Sequence, residues 1–309
     1  MILTVTLNPS VDRSYRVDNF QIDKIFRAQE ENSVAGGKGL NVTKVIRTLG
    51  EDVKATGFLG GKAGEFIESE LKKIGVDCNF IKIDGETRTC IAILDPIFNT
   101  QTEILERGPK ISQEYIEKFL ENFYELSRIC NIITASGSAP SGVPEDIYVE
   151  LINIARKNEV KFILDTSGEY LTNGIKAKPF MIKPNKEELE KLLNKEIKNI
   201  QDIKKAILDL NQTGIEVVSV SLGSEGSVIS CADGVFRLRP PKIKASSPVG
   251  SGDSYVAGMT VGIKRGLSLI DSAILATACG TVNAMYYKTG YVTIEEVDYI
   301  KNKVIVEKL

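Results

Sequence analysis

Pro248-Val249-Gly250-Ser251-Gly252-Asp253-Ser254 reads as a loop running into a helix. Beyond it, Val256, Met259, Thr260 and Ile263 recur at helical spacing, which predicts a helix starting near Gly252. Two glycines ahead of a helix let the backbone come close to a ligand, and the first helical amides have no intrahelical acceptor. Together with the helix dipole they make a site for an anion such as a phosphate. Asp253 is out of place there, because a carboxylate at the mouth of an anion site repels phosphate. It makes sense as the group that takes the proton of a nucleophilic hydroxyl beside the phosphate being transferred. A plain N-cap is the competing reading, and on this stretch alone the two weigh about equally.

Upstream of this stretch, residues 214–222 read as a strand that ends in the glycine-rich turn Ser221-Leu222-Gly223-Ser224-Glu225-Gly226. A hairpin follows, with strands at 228–230 and 235–238 around Ala232-Asp233-Gly234. Downstream, a helical pattern passes through Ile274, Ala278 and Val282. From residue 111 onward the rhythm is regular: helix 113–126, strand 129–134, the small residues 135–142, helix 145–157, and strand 161–164 ending in Asp165. Strand 180–183 then runs into Pro184-Asn185-Lys186-Glu187-Glu188, the start of a helix carrying Leu189, Leu192 and Leu193. Such alternation predicts a mostly parallel sheet covered on both faces. Asn185 and Glu188 can face one site, although spacing alone favours a glutamate that simply pairs with the helix dipole.

The first third carries more loops with chemistry. Residues 2–7 form a buried strand, and Asn8-Pro9 closes it. Asp12 then falls just past the strand's C-terminal end, the edge where open α/β sheets bind ligands, or it is a turn residue. Residues 13–34 read as a small β excursion with no helical pattern. In Ala35-Gly36-Gly37-Lys38-Gly39-Leu40-Asn41-Val42, glycines again lead into a helix, with Val42, Val45, Ile46 and Leu49 on its apolar face. Lys38 is followed by Gly39, so this is no Walker A loop. Lys38 and Asn41 beside such glycines can hold a polyhydroxylated or phosphorylated ligand; a mere tight turn explains the glycines but not that pair. Strand 52–59 and helix 64–74 come next, then extended residues 80–83 and two short strands at 90–94 and 102–105. Arg88 sits at the base of this second excursion, either as a bidentate partner for phosphate or as an ordinary surface arginine.

Composition narrows the chemistry. The chain has 309 residues, 42% hydrophobic and 26% charged, which is enough for a large buried core. A net charge of −2, with basic residues spread along the chain, argues against nucleic acid as a partner and gives no sign of a membrane surface. No apolar run approaches the ~20 residues of a membrane span, and residues 1–7 lack the basic start of a signal peptide. The absence of histidine removes Ser-His-Asp and Cys-His catalysis and His-ligated metals. Acid–base work falls to Asp, Glu, Lys, Tyr or Cys. Five cysteines without a C-x-x-C pair suggest reduced thiols and a cytoplasmic setting. A nucleotide kinase acting on a small hydroxylated substrate fits this set of loops. A dinucleotide oxidoreductase does not, because no G-x-G-x-x-G follows the first strand. A binding protein without catalysis has no need of Asp253 beside an anion site.

Five segments in this order resemble the motif set of the ribokinase-like (PfkB) carbohydrate kinases: Asn8-Pro-Ser-Val-Asp12, Ala35-Gly-Gly-Lys-Gly-Leu-Asn41, Lys183-Pro-Asn185-x-x-Glu188, Ser221-Leu-Gly223 and Pro248-Val-Gly-Ser-Gly-Asp253. The resemblance spans nearly the whole chain. Within the family it points to the hexose-phosphate kinases. Gly85-Glu-Thr-Arg-Thr-Cys-Ile-Ala-Ile-Leu94, Gln101-Thr-Glu-Ile-Leu105 and Thr289-Gly-Tyr-Val292 look closest to the branch acting on tagatose 6-phosphate, with fructose 1-phosphate as the alternative substrate.

The resemblance implies a three-layer α/β/α sandwich with a mostly parallel sheet and a small β lid. The core would be 1–12, 35–87 and 107–309, and the lid 13–34 and 88–106. It implies Asp253 as the base, with Gly250, Ser251, Gly252 and Asp253 supplying the anion hole. Asp12, Gly37, Lys38 and Asn41 would hold the sugar, and Arg88 and Lys38 its existing phosphate. Lys183, Asn185, Ser221, Gly223 and Gly226 would line the ATP site, with Asn283 in the adenine pocket. Asn185 and Glu188 would organise Mg²⁺ through water. A homodimer formed through the lids is also implied.

Overall fold

The computed structural model describes residues 1–309. The chain begins with β1 (Ile2–Thr6), then β2 (Ser10–Arg16), β3 (Glu30–Gly36) and α1 (Lys38–Thr48). β4 (Val53–Gly60), α2 (Gly61–Lys73), β5 (Asp77–Cys78) and β6 (Ile81–Ile83) lead to β7 (Arg88–Asp95) and β8 (Thr100–Leu105). Helices and strands then alternate: α3 (Gln113–Ser127), β9 (Ile132–Ser136), α4 (Ile147–Lys157), β10 (Lys161–Asp165), α5 (Gly168–Gly174) and β11 (Met181–Ile182). After α6 (Lys186–Leu193), α7 (Ile200–Gln212) and β12 (Val217–Ser221), β13 (Ser227–Cys231) and β14 (Gly234–Arg239) form a hairpin. α8 (Ser251–Lys264), α9 (Leu269–Ala284), α10 (Ile294–Lys301) and β15 (Ile305–Lys308) complete the chain.

Eleven strands make one sheet in the order β15-β14-β13-β12-β11-β10-β9-β1-β4-β5, with β6 also paired to β4. From β5 to β12 every pairing is parallel; β12, β13, β14 and β15 pair antiparallel. Successive side chains on a strand face opposite ways, and here both faces are buried. Leu3 and Val5 of β1, Ile133 of β9, Phe162 of β10 and Val218 of β12 join one apolar cluster with α3 to α7. Ile2, Ile132, Ile163 and Val217 point into another, built with α1, α2, α8, α9 and α10. The protein therefore has three layers, α/β/α. Parallel pairing brings the C-terminal ends of β1, β9, β10, β11 and β12 to one edge. No helix is long and apolar enough to cross a membrane.

A second, four-stranded sheet has the order β3-β2-β7-β8. Its strands run from Ser10 to Gly36 and from Arg88 to Leu105, so the first excursion begins and ends two to three residues beyond the expected 13–34. β2 pairs in parallel with β7, while the outer pairs are antiparallel. Ser10 thus opposes both Gly36 and Arg88, and the two excursions share one root.

Some elements differ from expectation. β9 starts at Ile132, because α3 and the turn after it extend through Ile129, which is left exposed. Pairing of Ile2 with Ile132 sets where that strand begins. α5, α7, α10 and β15 are not among the elements expected from sequence. α7 has a legible start all the same, since the Asn199 side chain caps the amides of Gln201 and Asp202, and Ile203, Ile207 and Leu210 are buried at helical spacing.

Candidate active site

The loops after the parallel strands meet the small sheet in a cleft of about 640 Å³. Asp12, Cys90 and Glu103 belong to the wall given by the small sheet, and the floor is made by Ser136 and Asp165 at strand ends of the large one, Lys183 just past β11, and Asp253 at the start of α8. Gly37, Lys38, Asn41, Arg88, Asn185, Glu188, Ser221, Gly250 and Gly252 also line it. A more open cleft of about 530 Å³ shares Asn185 and Ser221 and adds Gly223.

Gly250 is the N-cap of α8 in the left-handed region at φ 82°, where a side chain would be strained. Asp253 is therefore the third helical residue, and no side chain caps this helix. The plain N-cap reading of Asp253 falls. The Ser251 amide bonds the Pro248 carbonyl at 3.2 Å. The amides of Gly252 and Asp253 remain open at the helix start, for want of intrahelical acceptors. Lys183 crosses the floor beside them, and a Cβ on Gly252 would stand 3.3 Å from its Nζ.

Asp253 is 6% exposed. Burial, helped by the negative charge of Asp165, pushes its carboxyl up to about 6, against the opposing pull of Lys38, Asn41 and Lys183. The Asn41 side-chain amide donates to Asp253 Oδ2 at 2.8 Å, while Asn41 Oδ1 is buried with no partner. The negative charge of Asp165 holds the Lys38 ammonium up at about 12 against partial desolvation, with Asp253 and Glu188 assisting. Asp12 is not in a turn; it lies in β2, accepting from Ser10 Oγ at 2.6 Å. Burial raises its carboxyl, with Ser10, Lys44 and Arg88 pulling the other way.

The sequence marks Asp165 only as the end of a strand. It is 1% exposed, and neither of its oxygens accepts a hydrogen bond. Lys183 Nζ lies 3.2 Å from Oδ1, an ion-pair distance without hydrogen-bond geometry. Its place at the C-terminal end of β10 was the available signal. Ser136, at the end of β9, likewise has a buried hydroxyl with no partner.

Other predicted residues take different places. Asn185 and Glu188 form a reciprocal capping box, Asn185 Oδ1 with the Glu188 amide and Glu188 Oε2 with the Asn185 amide, each at 2.8 Å. Glu188 thus does more than pair with the helix dipole, and both residues still face the cleft. Arg88 is no loose surface arginine: its guanidinium donates to the Asn8 carbonyl at 2.9 and 3.2 Å and to the Glu106 carbonyl at 3.0 Å. Gly226 and Ser251 line neither cleft; Gly226 closes the turn after β12, and Ser251 Oγ is buried. Asn283 also lines neither. It is fully buried, donating to the Val249 carbonyl at 2.8 Å and accepting from the Gly290 amide at 2.9 Å and Ser254 Oγ at 3.1 Å. Its amide pins the loop ahead of α8, a use for which residue type and position gave no sign.

A buried carboxylate poised near neutrality, open helix-start amides, the buried Lys183 and the more exposed Lys38 suit a site for moving a phosphoryl group onto a hydroxyl. Residues 5–296 match the model of the pfkB family carbohydrate kinases. Tagatose-6-phosphate kinase of Staphylococcus epidermidis is 42% identical over 303 residues, covering 97% of each chain. Escherichia coli phosphofructokinase-2, solved with fructose-6-phosphate, superposes with a TM-score of 0.91 at 27% identity over 98% of each chain. A Thermotoga maritima protein described as a possible 1-phosphofructokinase gives 0.90 at 29% identity, over 100% of this chain and 99% of its own. The chain belongs to the pfkB family of carbohydrate kinases. It is a phosphotransferase with the ribokinase-like fold of that family.

Proposed function

We propose that this enzyme is a tagatose-6-phosphate kinase, transferring the γ-phosphoryl group of ATP to the 1-hydroxyl of tagatose 6-phosphate. The observation that carries the chemistry is Asp253, buried beside open amides and held by Asn41. The substrate reading rests on the S. epidermidis relative, which matches along nearly the whole chain.

Asp253 takes the hydroxyl proton as the sugar oxygen bonds the γ-phosphorus; the bond to the β,γ-bridging oxygen breaks and ADP leaves. A base near pKa 6 is ionised at neutral pH yet still basic enough to accept that proton. The Gly252 and Asp253 amides face the charge that develops, and Lys183 beside them adds a cation. Asn41, through its unpartnered oxygen, and Asp12 would hold sugar hydroxyls. Two donors of Arg88 remain beyond its three carbonyl contacts, and they would meet the 6-phosphate. Asn185, Ser221 and Gly223 would receive the nucleotide; the parallel bridge between Asn185 and Ser221 brings their loops together.

Mg²⁺ fits these residues in a loose way. No three acidic side chains cluster as ligands, but the orphaned carboxylate of Asp165 and the Glu188 oxygen not used in capping share one cleft. Magnesium commonly uses one or two carboxylates, completed by water and phosphate. Bound there, it would neutralise phosphate charge and orient the γ-phosphoryl group.

The small sheet would act as a lid that excludes water, the competing acceptor. Exposed Ile104 on β8, with exposed Ile97 and Phe98 in the turn that joins β7 to β8, favours a homodimer through this sheet. A cytoplasmic setting accords with five unpaired cysteines. The Thermotoga neighbour favours fructose 1-phosphate as the second substrate reading. Measuring kcat/KM for tagatose 6-phosphate and fructose 1-phosphate side by side decides between them. A clear preference for the first is expected; a preference for the second keeps the mechanism and changes the substrate; turnover of neither overturns the substrate class.

A further inference from the structure

Lys44 lies on α1 one turn beyond Asn41, outside the lining of either cleft. Its ammonium donates to the Ala35 carbonyl at 3.0 Å and to the Thr289 carbonyl at 3.2 Å. Those carbonyls belong to opposite halves of the site. Ala35 leads directly into Gly36-Gly37-Lys38, on the acceptor side. Thr289 sits in the loop between α9 and α10, which braces the anion hole. A Cβ on Gly250 would stand 3.2 Å from Thr289 Cβ and 3.2 Å from the Gly290 amide nitrogen. Asn283 ties that same amide to the Val249 carbonyl. The seat on α1 is tight: Gly290 is at φ +62°, and a Cβ there would meet Asn41 Cα at 2.8 Å and Lys44 Cε at 2.9 Å. Burial lowers the ammonium to about 8, opposed by Asp12 and Asp253 and reinforced by the like charge of Lys288.

We propose that Lys44 is a positioning residue that couples the acceptor and nucleotide halves of the site. One ammonium spans a carbonyl from each half, so ordering either half constrains the other. The second ligand then meets loops already set, and its binding is strengthened. This rests on the kinase reading above.

The test is calorimetric titration of the non-hydrolysable analogue AMP-PNP, with Mg²⁺, into the enzyme with and without tagatose 6-phosphate. In the wild type the sugar phosphate should tighten the analogue about fivefold or more, the usual lower range of coupling between sites. Lys44→Gln should reduce that factor below about twofold while the Kd of each ligand alone changes less than about threefold. Its kcat should fall about tenfold or more through lost alignment. Lys44→Arg, which keeps charge and donors, should restore coupling. Coupling that survives Lys44→Gln overturns the proposal, as does a wild type that binds both ligands independently. Weakened binding of each ligand alone with a lowered Tm would mark a mere brace and also overturn it. If Lys44→Gln does not fold, Lys44→Met against Lys44→Arg gives the same comparison. Failure of tagatose 6-phosphate to bind the wild type at all is a failure of the substrate reading instead; fructose 1-phosphate then takes its place in the same titration.

Discussion

Asn41 and Asp253 stand 212 positions apart in the chain, and a 2.8 Å hydrogen bond from the Asn41 amide to Asp253 Oδ2 joins them. The bond runs from the first turn of α1 to the first turn of α8, across the floor of the cleft. It fixes one oxygen of the carboxylate and leaves the other without a hydrogen-bond partner, where the proposed mechanism would bring the substrate hydroxyl. Asp253→Asn keeps an oxygen to accept that bond but cannot take a proton. Its kcat should fall by several orders of magnitude while sugar-phosphate binding persists, as steady-state and binding measurements would show. A kcat within about tenfold of wild type, less than ~1.4 kcal/mol of barrier, would mean Asp253 is not the essential base.

The same substitution should raise stability. Burial lifts the folded-state pKa of Asp253 to about 6, above its unfolded value, so the folded protein holds this proton more tightly. As pH rises from ~4 through ~6 the carboxylate ionises in place and stability is lost, on the order of 3 kcal/mol by linkage. Asp253→Asn removes the ionisation and keeps the shape of the side chain, so its Tm is compared with that of the wild type at two pH values. The variant should melt higher at pH ~8 and level with the wild type near pH ~4. An equal Tm at both would mean the buried carboxylate carries no such cost.

Activity should report the same ionisation. The kcat/KM profile of the wild type should rise with pH through about 6 as Asp253 loses its proton. Asp165 is the neighbouring charge that adds to that elevation. Asp165→Asn should move the acid limb to lower pH, whatever it does to the plateau. An unmoved limb would assign the titration to another group.

Arg88 tests how the acceptor is held. Arg88→Ala removes the two free donors and also the contacts to the Asn8 and Glu106 carbonyls. KM for the sugar phosphate should rise about a hundredfold, on the scale of losing charge-assisted bonds of about 1.5–3 kcal/mol, with KM for ATP within about threefold. Equal effects on both would reject the phosphate clamp.

Ile104 tests the small sheet as an interface. It is 56% exposed on β8. Ile104→Asp should convert a dimer to monomer in sedimentation velocity while far-UV circular dichroism stays unchanged. A wild-type monomer, or a variant that remains dimeric, would remove this sheet as the interface.

Much of the architecture was legible in the chain. Apolar runs such as Ile2–Thr6 and Val217–Ser221 announce strands buried on both faces, and the glycines before α1 and α8 announce close turns. These are local signals, with periods of two or 3.6 residues and turn chemistry written in neighbouring positions. The order of motifs carried the family as well. What the tertiary structure alone decided was which polar groups meet. The central place of β1, between β4 and β9, sets strand ends from distant parts of the chain side by side. That arrangement leaves Asp165 without a hydrogen-bond partner, turns Asn283 inward as a clasp, and gives Lys44 a carbonyl from each half of the site. Long-range contacts of this kind have no periodicity of their own, because they arise from strand order and from the need to satisfy buried polar groups wherever the fold brings them.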